Sequence, residues 1–366
     1  MGTARAGGPS LDPPVGRPCY LLPLRWQDGQ HGLGELTGYL RQIARHCDVV
    51  LVDGSPEPVF ARHDRAWDGV AWHIRPDQAL ASRNGKVSGV MTGIQSIAAE
   101  RVVIADDDVR YDEQALSRIL TLLDRCDLVI PQNYFDPLPW HAAWDSARSL
   151  VNRALGTDYP GTVAVRRQAF LAAGCYDGDV LFENLELMRT LQAAGARISL
   201  APDLFVRRLP PGTRQFLGQR IRQAYDSLAQ PPRLAAELAL LPAALLAARS
   251  RGSWVLATAV TAAVAMAETG RRRHGGTAVF PGVAALLAPA WLAERGACSW
   301  LAMALRLRGG IRYGGRRITR AAHSAKVLQR EHCRRTAAAL RGECPPAEVA
   351  GAYRSASRPD SWSSFC

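Results

Sequence analysis

Three consecutive aspartates, Asp106-Asp107-Asp108, follow directly on the apolar run Val102-Val103-Ile104-Ala105. Branched apolar residues in a row, stopped abruptly by charge, predict a buried strand. In open α/β sheets the carboxyl ends of the strands form the edge where ligands bind. Three carboxylates crowded at such an edge repel one another, so they require water, arginine or a divalent cation as compensation. A solvated acidic turn is the plain alternative, and the surroundings of the cluster decide between the two.

Strand-like and helix-like stretches alternate on both sides of the cluster. The spacing predicts strands over 19–24, 48–52 and, more weakly, 70–74, with helices over 34–46 and 86–99. After the aspartates come a helix over 114–123, a strand over 127–130 and an amphipathic segment over 138–155. Trp140, Trp144, Ala147 and Val151 share one face of that segment, and the stripe reads as core packing rather than a substrate platform. Short strands over 162–165 and 198–200 flank a helix over 183–194. This repetition implies a largely parallel sheet with helices on both faces.

The composition changes near residue 230. The run 234–248 is apolar except for Glu237, 253–267 carries no charge, and 275–293 is uncharged for 19 residues. A bilayer span takes about 20 apolar residues, so only the 275–293 run is comfortably long enough. A further apolar stretch, 296–305, is short. A buried helical subdomain is the alternative to spans or interfacial helices. The net charge of +12 is carried almost wholly by arginine, since Lys86 and Lys326 are the only lysines. Arginine gathers around the apolar runs, which favours an anionic membrane surface. No zinc-finger spacing or RNA-binding aromatic signature accompanies the charge, so nucleic acid is not expected as a partner. The arginines after Leu305 predict a cytoplasmic tail, with the N-terminal domain on the same side of the cell membrane. Eight scattered cysteines without a C-x-x-C pair predict reduced thiols. The expected organisation is a disordered segment over 1–16, a catalytic domain over 17–230, membrane-associated helices over 231–306 and a basic tail over 307–366.

Four features reinforce the aspartates. Asp53 ends a strand within Val-Asp-Gly-Ser, and Asn84-Gly85-Lys86 opens a helix where a cation and free N–H groups suit a phosphate. Phe182-Glu183-Asn184-Leu185-Glu186 places carboxylates at a helix start, and Gln219-Arg220-Ile221-Arg222-Gln223 lies on an amphipathic helix. Each has a bland reading, from a turn cap to a dipole-favoured acid. In this order and at these separations they resemble the family-2 glycosyltransferases of GT-A fold, over roughly residues 18–230. The apolar C-terminal region is similar to that of membrane-bound, lipid-glycosylating members of the ceramide glucosyltransferase-like branch.

The resemblance implies an α/β architecture, the GT-A nucleotide-diphospho-sugar transferase fold, with a mixed, mainly parallel sheet. It implies that Asp53 contacts the nucleotide, that Asp106 faces the nucleotide-sugar, and that Asp108 ligates Mn2+ or Mg2+ together with Asp106. Lys86 would lie near the nucleotide, and Gln219 and Arg222 would help hold the diphosphate or the glycan site. Two positions depart from the pattern. Gln223 replaces a frequent tryptophan, and Asn184 replaces the aspartate taken as catalytic base. An amide does not accept the proton, so Glu183, nearer the loop, or Glu186 must serve. The implied activity is inverting, metal-dependent transfer from a nucleotide-sugar to a lipid or lipid-linked acceptor at the cytoplasmic face. A processive polysaccharide synthase, a nucleotidyltransferase and a non-catalytic scaffold are the rivals.

Overall fold

A computed structural model describes residues 16–27, 32–156, 158–249 and 253–340. The expected disordered N-terminus, Gly16 apart, and the end of the basic tail lie outside the described residues. The chain opens with β1 (Cys19–Leu24), α1 (Leu33–Ile43), β2 (Asp48–Asp53), α2 (Glu57–Trp67) and β3 (Trp72–Ile74). Next come α3 (Gly85–Ser96), β4 (Arg101–Ala105), the two-residue β5 (Val109–Arg110), α4 (Glu113–Leu122) and β6 (Leu128–Phe135). The sheet region ends with α5 (Trp140–Leu155), β7 (Thr162–Arg166), α6 (Arg167–Ala172), α7 (Glu183–Ala193) and β8 (Ile198–Arg208). The eight strands form one sheet in the order β3-β2-β1-β4-β7-β6-β8-β5.

The pairings β1–β2, β1–β4, β2–β3 and β6–β8 are parallel, whereas β7 runs antiparallel to both β4 and β6, and β5 to β8. The sheet is therefore mixed and mainly parallel, flanked by helices, which fits the GT-A expectation. Its register fixes the site. Leu24 pairs with Asp53, and the ends of β4, β6 and β8 emerge on the same edge, where antiparallel β7 begins at Thr162. One face of the sheet buries Leu22, Leu51 and Val103 against Leu36 and Leu40 of α1 and Leu116 and Ile119 of α4. The other buries Leu21, Val50 and Ile104 against Val90 and Ile94 of α3.

The helices after the sheet are α8 (Thr213–Tyr225), α9 (Pro231–Arg249), α10 (Ser253–Arg272), α11 (Gly282–Leu286) and α12 (Ala288–Leu307). A hairpin of β9 (Ile311–Tyr313) and β10 (Arg316–Ile318) and a last helix, α13 (Ala325–Leu340), follow. The uncharged 275–293 run is not one helix, contrary to expectation. His274 and Gly275 adopt positive φ, a 3₁₀ turn spans Arg273–Ala278, and α11 starts after Pro281 and stops at Leu286. Glycine pairs and prolines break the hydrogen-bond ladder that an apolar run would otherwise extend. The pieces fold back on the sheet region: Phe280, Ala284, Ala288 and Trp291 pack with Ala147, Leu150 and Val151 of α5. Helix α10 lies against α5 so closely that a Cβ at Gly270 would sit 1.9 Å from the Leu150 carbonyl oxygen. Arg153 locks this junction, donating from Nε to Gly270 O at 3.1 Å and from Nη1 to Pro202 O at 2.8 Å. Among the described residues one helix, α9, is long and apolar enough to cross a membrane, with mean hydropathy 1.3. The start of the expected tail is folded too, since Val180 bridges to Arg320 and the carbonyls of Arg320 and Ala321 accept from Leu181 N and Phe182 N.

Candidate functional site

At the carboxyl edge of the sheet lies a cleft of about 1100 Å³, lined from one end by Arg25, Arg75 and Asp77 and from the other by Asp226, Arg233 and Arg295. Its centre is built from residues far apart in sequence. Asn84 caps α3 by accepting from Lys86 N, and its own amide donates to Val180 O at 3.2 Å. Asn84 N also donates to Gly178 O at 2.8 Å, so the start of α3 is joined to the loop before α7. This brings Lys86 Nζ within 2.6 Å of Asp106 Oδ1 and 3.0 Å of Glu183 Oε1.

Arg208, the last residue of β8, reaches the other side of the aspartates. Its Nε donates to Asp108 Oδ2 at 2.7 Å and its Nη2 to Asp106 Oδ2 at 3.3 Å. Asp107 turns away and accepts from the Trp26 indole. Gly161 lies directly beneath, where a Cβ would come within 2.6 Å of Asp106 Oδ2, so the close approach of β7 to the cluster requires glycine. Asp108 Oδ1 is buried and has no hydrogen-bond partner among the described residues. Two carboxylates on one edge, one with an unused oxygen, form a donor set suited to a hard divalent cation.

The electrostatics separate the two acids. Burial opposes charge on Asp106, but Lys86 and then Arg208 outweigh it and hold its pKa below the ordinary carboxylate value. Burial prevails at Asp108, and its pKa is raised despite Arg208. Lys86 is held firmly protonated: burial works against its charge, and Asp106 and Glu183 overcome that.

The far end of the cleft contains Glu183, Asn184, Gln219, Arg222 and Asp226. Asn184 donates from Nδ2 to Pro160 O at 2.8 Å, which fixes it as a scaffold amide. Arg222 lies over the ring of Tyr313, at 5.2 Å from its centroid, so the β9–β10 hairpin closes this end. Asp226 Oδ1 is buried without a hydrogen-bond partner among the described residues, and burial pushes its pKa up to about 7, against the pull of Arg222.

Of the residues expected at the site, Lys86, Asp106, Asp108, Glu183, Gln219 and Arg222 all line this one cleft. Two do not. Asp53 is fully buried beneath the cleft: Oδ2 meets His63 Nδ1 at 2.7 Å and His73 Nε2 at 3.2 Å, and Oδ1 accepts from Ser55 N. Burial works against its charge, yet these hydrogen bonds hold its pKa well below the ordinary value. It shapes the turn rather than facing a nucleotide. Glu186 is also fully buried, its oxygens taken by His323 N at 2.7 Å and His323 Nδ1 at 2.8 Å. The one-turn spacing from Glu183 points it at the C-terminal segment, so it is excluded as a base in the cleft. Arg220, between Gln219 and Arg222 on the same helix, is buried on Asp145 at 2.9 Å. Arg208, Asp226, Arg295 and Tyr313 were missed. Arg208 carries the one available signal, a cation ending a strand on the ligand edge.

No protein-family model matches the sequence, and no curated protein matches it. Solved structures resemble it loosely. A mannosyltransferase, PcManGT from Pyrobaculum calidifontis in complex with GDP-Man and Mn2+, superposes with a TM-score of 0.45 at 17% identity, covering 93% of this chain and 86% of that one. Glucosyl-3-phosphoglycerate synthase from Mycobacterium tuberculosis, with Mn2+, UDP-glucose and phosphoglyceric acid, gives 0.41 at 16% identity, over 58% of this chain and 79% of that one. GalNAc-T7 with UDP, GalNAc and Mn2+ gives 0.39 at 14% identity, over 53% and 44%.

Proposed function

We propose that this chain is an inverting, metal-dependent glycosyltransferase that moves a sugar from a nucleotide-sugar to a lipid or lipid-linked acceptor. The observation that carries the reading is the convergence of Lys86, Asp106, Asp108, Glu183, Gln219 and Arg222 on one cleft at the ligand edge of the sheet. Asp106 and Asp108 would hold Mn2+ or Mg2+, which, when bound, neutralises the departing diphosphate. Lys86 and Arg208 supply fixed positive charge at the same place, oriented before the reaction begins. As the anomeric carbon–oxygen bond breaks, charge passes to the nucleoside diphosphate, and the acceptor hydroxyl attacks from the opposite side of the sugar.

That hydroxyl must lose a proton, and two carboxylates at the acceptor end can take it. Glu183 is the residue the motif points to, and Lys86 orients it. A second reading assigns the proton to Asp226, favoured by its unpartnered buried oxygen and by a pKa near the working range.

Helices α9 and α10 support a membrane-facing acceptor. Leu245, Leu246 and Trp254 stand exposed on them, at 60%, 66% and 72%, an apolar surface suited to the acyl–headgroup boundary. The proposed placement is the cytoplasmic face of the cell membrane. Nucleoside diphosphate release by detergent-solubilised protein, measured with and without Mn2+ or Mg2+ against a set of nucleotide-sugars and a lipid extract, tests the whole reading. Release that is absent with every donor refutes it and leaves a scaffold, and release indifferent to the metal and to Asp108→Ala removes the metal and Asp108 from the mechanism.

A further inference from the structure

The cleft holds a second basic centre, away from the aspartates. Arg295, on α12, lines the cleft and is 1% exposed, yet its Nε and Nη1 have no hydrogen-bond partner among the described residues. A buried guanidinium without a partner is costly, and such donors are retained where a ligand completes them. Three of the neighbouring acids are already engaged. Glu237 accepts from Arg233 Nε at 2.9 Å and from Ser299 at 2.8 Å, while Asp145 and Glu294 hold Arg220 at 2.9 and 3.6 Å. Arg222 has no ion pair among the described residues; it lies over the Tyr313 ring and acts electrostatically on Asp226. Two guanidinia, Arg222 from α8 and Arg295 from α12, therefore face this end of the cleft without an ion pair among the described residues, and the acid beside both is Asp226, whose burial raises its pKa.

We infer that this end is an anion seat, and that the acceptor carries a phosphate group held by Arg295 and Arg222. Guanidinium donors fixed on separate helices suit the oxygens of a tetrahedral phosphate, which offers acceptors in several directions. The seat gives the helices after the sheet a role in the reaction. Arg295 comes from α12, and Arg233, beside it, from α9, so the region that supplies the exposed apolar surface also supplies the group that reads the acceptor. The inference rests on the transfer reading of the same cleft, and it names the substrate class.

The test separates the two. Inorganic phosphate is titrated calorimetrically into full-length protein with Mg2+, with and without saturating UDP or GDP, for the native chain, Arg295→Gln, Arg295→Lys and Arg222→Gln. Phosphate is expected to bind with the donor end filled, at least tenfold more weakly in Arg295→Gln, with Arg295→Lys between. Arg222→Gln, at a half-buried side chain, keeps the test decisive if Arg295→Gln does not fold. Equal affinity in native, Arg295→Gln and Arg222→Gln proteins overturns the seat. So does loss of phosphate binding when nucleotide is present, because the ion would then occupy the diphosphate position; the transfer reading survives that result. Arg295-dependent phosphate binding without any nucleotide binding keeps the seat and removes the transfer reading. Flotation with phosphatidylcholine vesicles, with and without phosphatidic acid, distinguishes the source. Arg295-dependent capture by phosphatidic acid indicates a lipid phosphate, and phosphate binding without such capture indicates a soluble one.

Discussion

The sheet region and the helices that follow it arrange polarity in opposite senses. In the sheet region the apolar residues are inside, and charge collects at one edge, where Lys86, Arg208 and the aspartates neutralise one another around a cleft. In the helical region Leu245, Leu246, Trp254 and Leu307 are exposed, whereas Arg295, Glu237 and Ser299 are buried. The helical region buries Phe280, Ala284 and Trp291 against α5 yet leaves these other apolar residues outside. It has two working faces, one completing the cleft and one turned outward. The two regions meet where Arg295 of α12 and Arg222 of α8 line the same cleft, and each experiment below presses on one side of that junction.

The largest effect is expected in the sheet region. Asp108→Ala removes one of the two carboxylates proposed to hold the metal and should lower metal-dependent release by on the order of 10²–10³-fold. Arg208→Gln should act differently. Arg208 lies between Asp106 and Asp108, so its loss frees one oxygen of each carboxylate and should strengthen Mn2+ binding in the absence of nucleotide, read by calorimetry. Weaker Mn2+ binding in Arg208→Gln would show that the guanidinium organises the aspartates instead of competing for them.

The next effect is the proton. Glu183→Gln and Asp226→Asn should be compared for turnover, with the true base costing about 10²-fold or more. If Asp226 serves, activity rises with pH through about 7 and the limb vanishes in Asp226→Asn. Stability carries a separate sign. A carboxyl whose folded pKa is raised binds protons in the fold that it has lost in the unfolded chain, so stability falls as pH rises from the ordinary value of 3.8 to about 7. Asp226→Asn should flatten that slope in chemical-denaturation series, and an unchanged slope would show the group to be solvated.

The cleft was legible where strands end. The predicted strand over 19–24 coincides with β1, and Asp106 and Asp108 stand at the edge their apolar run implied. Asp53 read identically and failed, because His63 and His73 enclose it, and neither histidine carries a local signal of that contact. Strand β5 was missed since two residues have no periodicity to read. The helical region misled most. Hydropathy over 275–293 sums apolar residues without registering that His274, Gly275 and Pro281 divide the run into a 3₁₀ turn, the short α11 and the start of α12. Arg295 and Tyr313 enter the cleft only through tertiary packing of α12 and the hairpin, which no motif encodes.

A smaller effect is expected where the C-terminal segment docks. His323 sits on Glu186, whose hydrogen bond, against some burial, raises the imidazole pKa above its ordinary 6.5. The pair therefore stabilises docking fully below that ordinary value and loses its contribution as pH rises through the higher folded one. Protease protection of α13 should decline above neutral pH, and Glu186→Gln should bring the decline to lower pH. Protection that ignores both would place the anchor in the Leu181–Arg320 backbone pairing instead.

The smallest effect on the fold, and the sharpest test of the outward face, comes from Leu246→Ser with Trp254→Ser. Both side chains are about two-thirds exposed or more, so each substitution should change stability by no more than about 0.5 kcal/mol. If α9 and α10 lie in a membrane surface, the double variant should float poorly with vesicles while soluble nucleotide binding is untouched. If flotation is unchanged, the exposed apolar residues serve another contact, and the coupling between cleft and membrane reduces to the basic groups alone. Arginine attraction to anionic lipid is screened by salt, whereas burial of Leu and Trp is not, so repeating the flotation at high ionic strength assigns whatever binding remains.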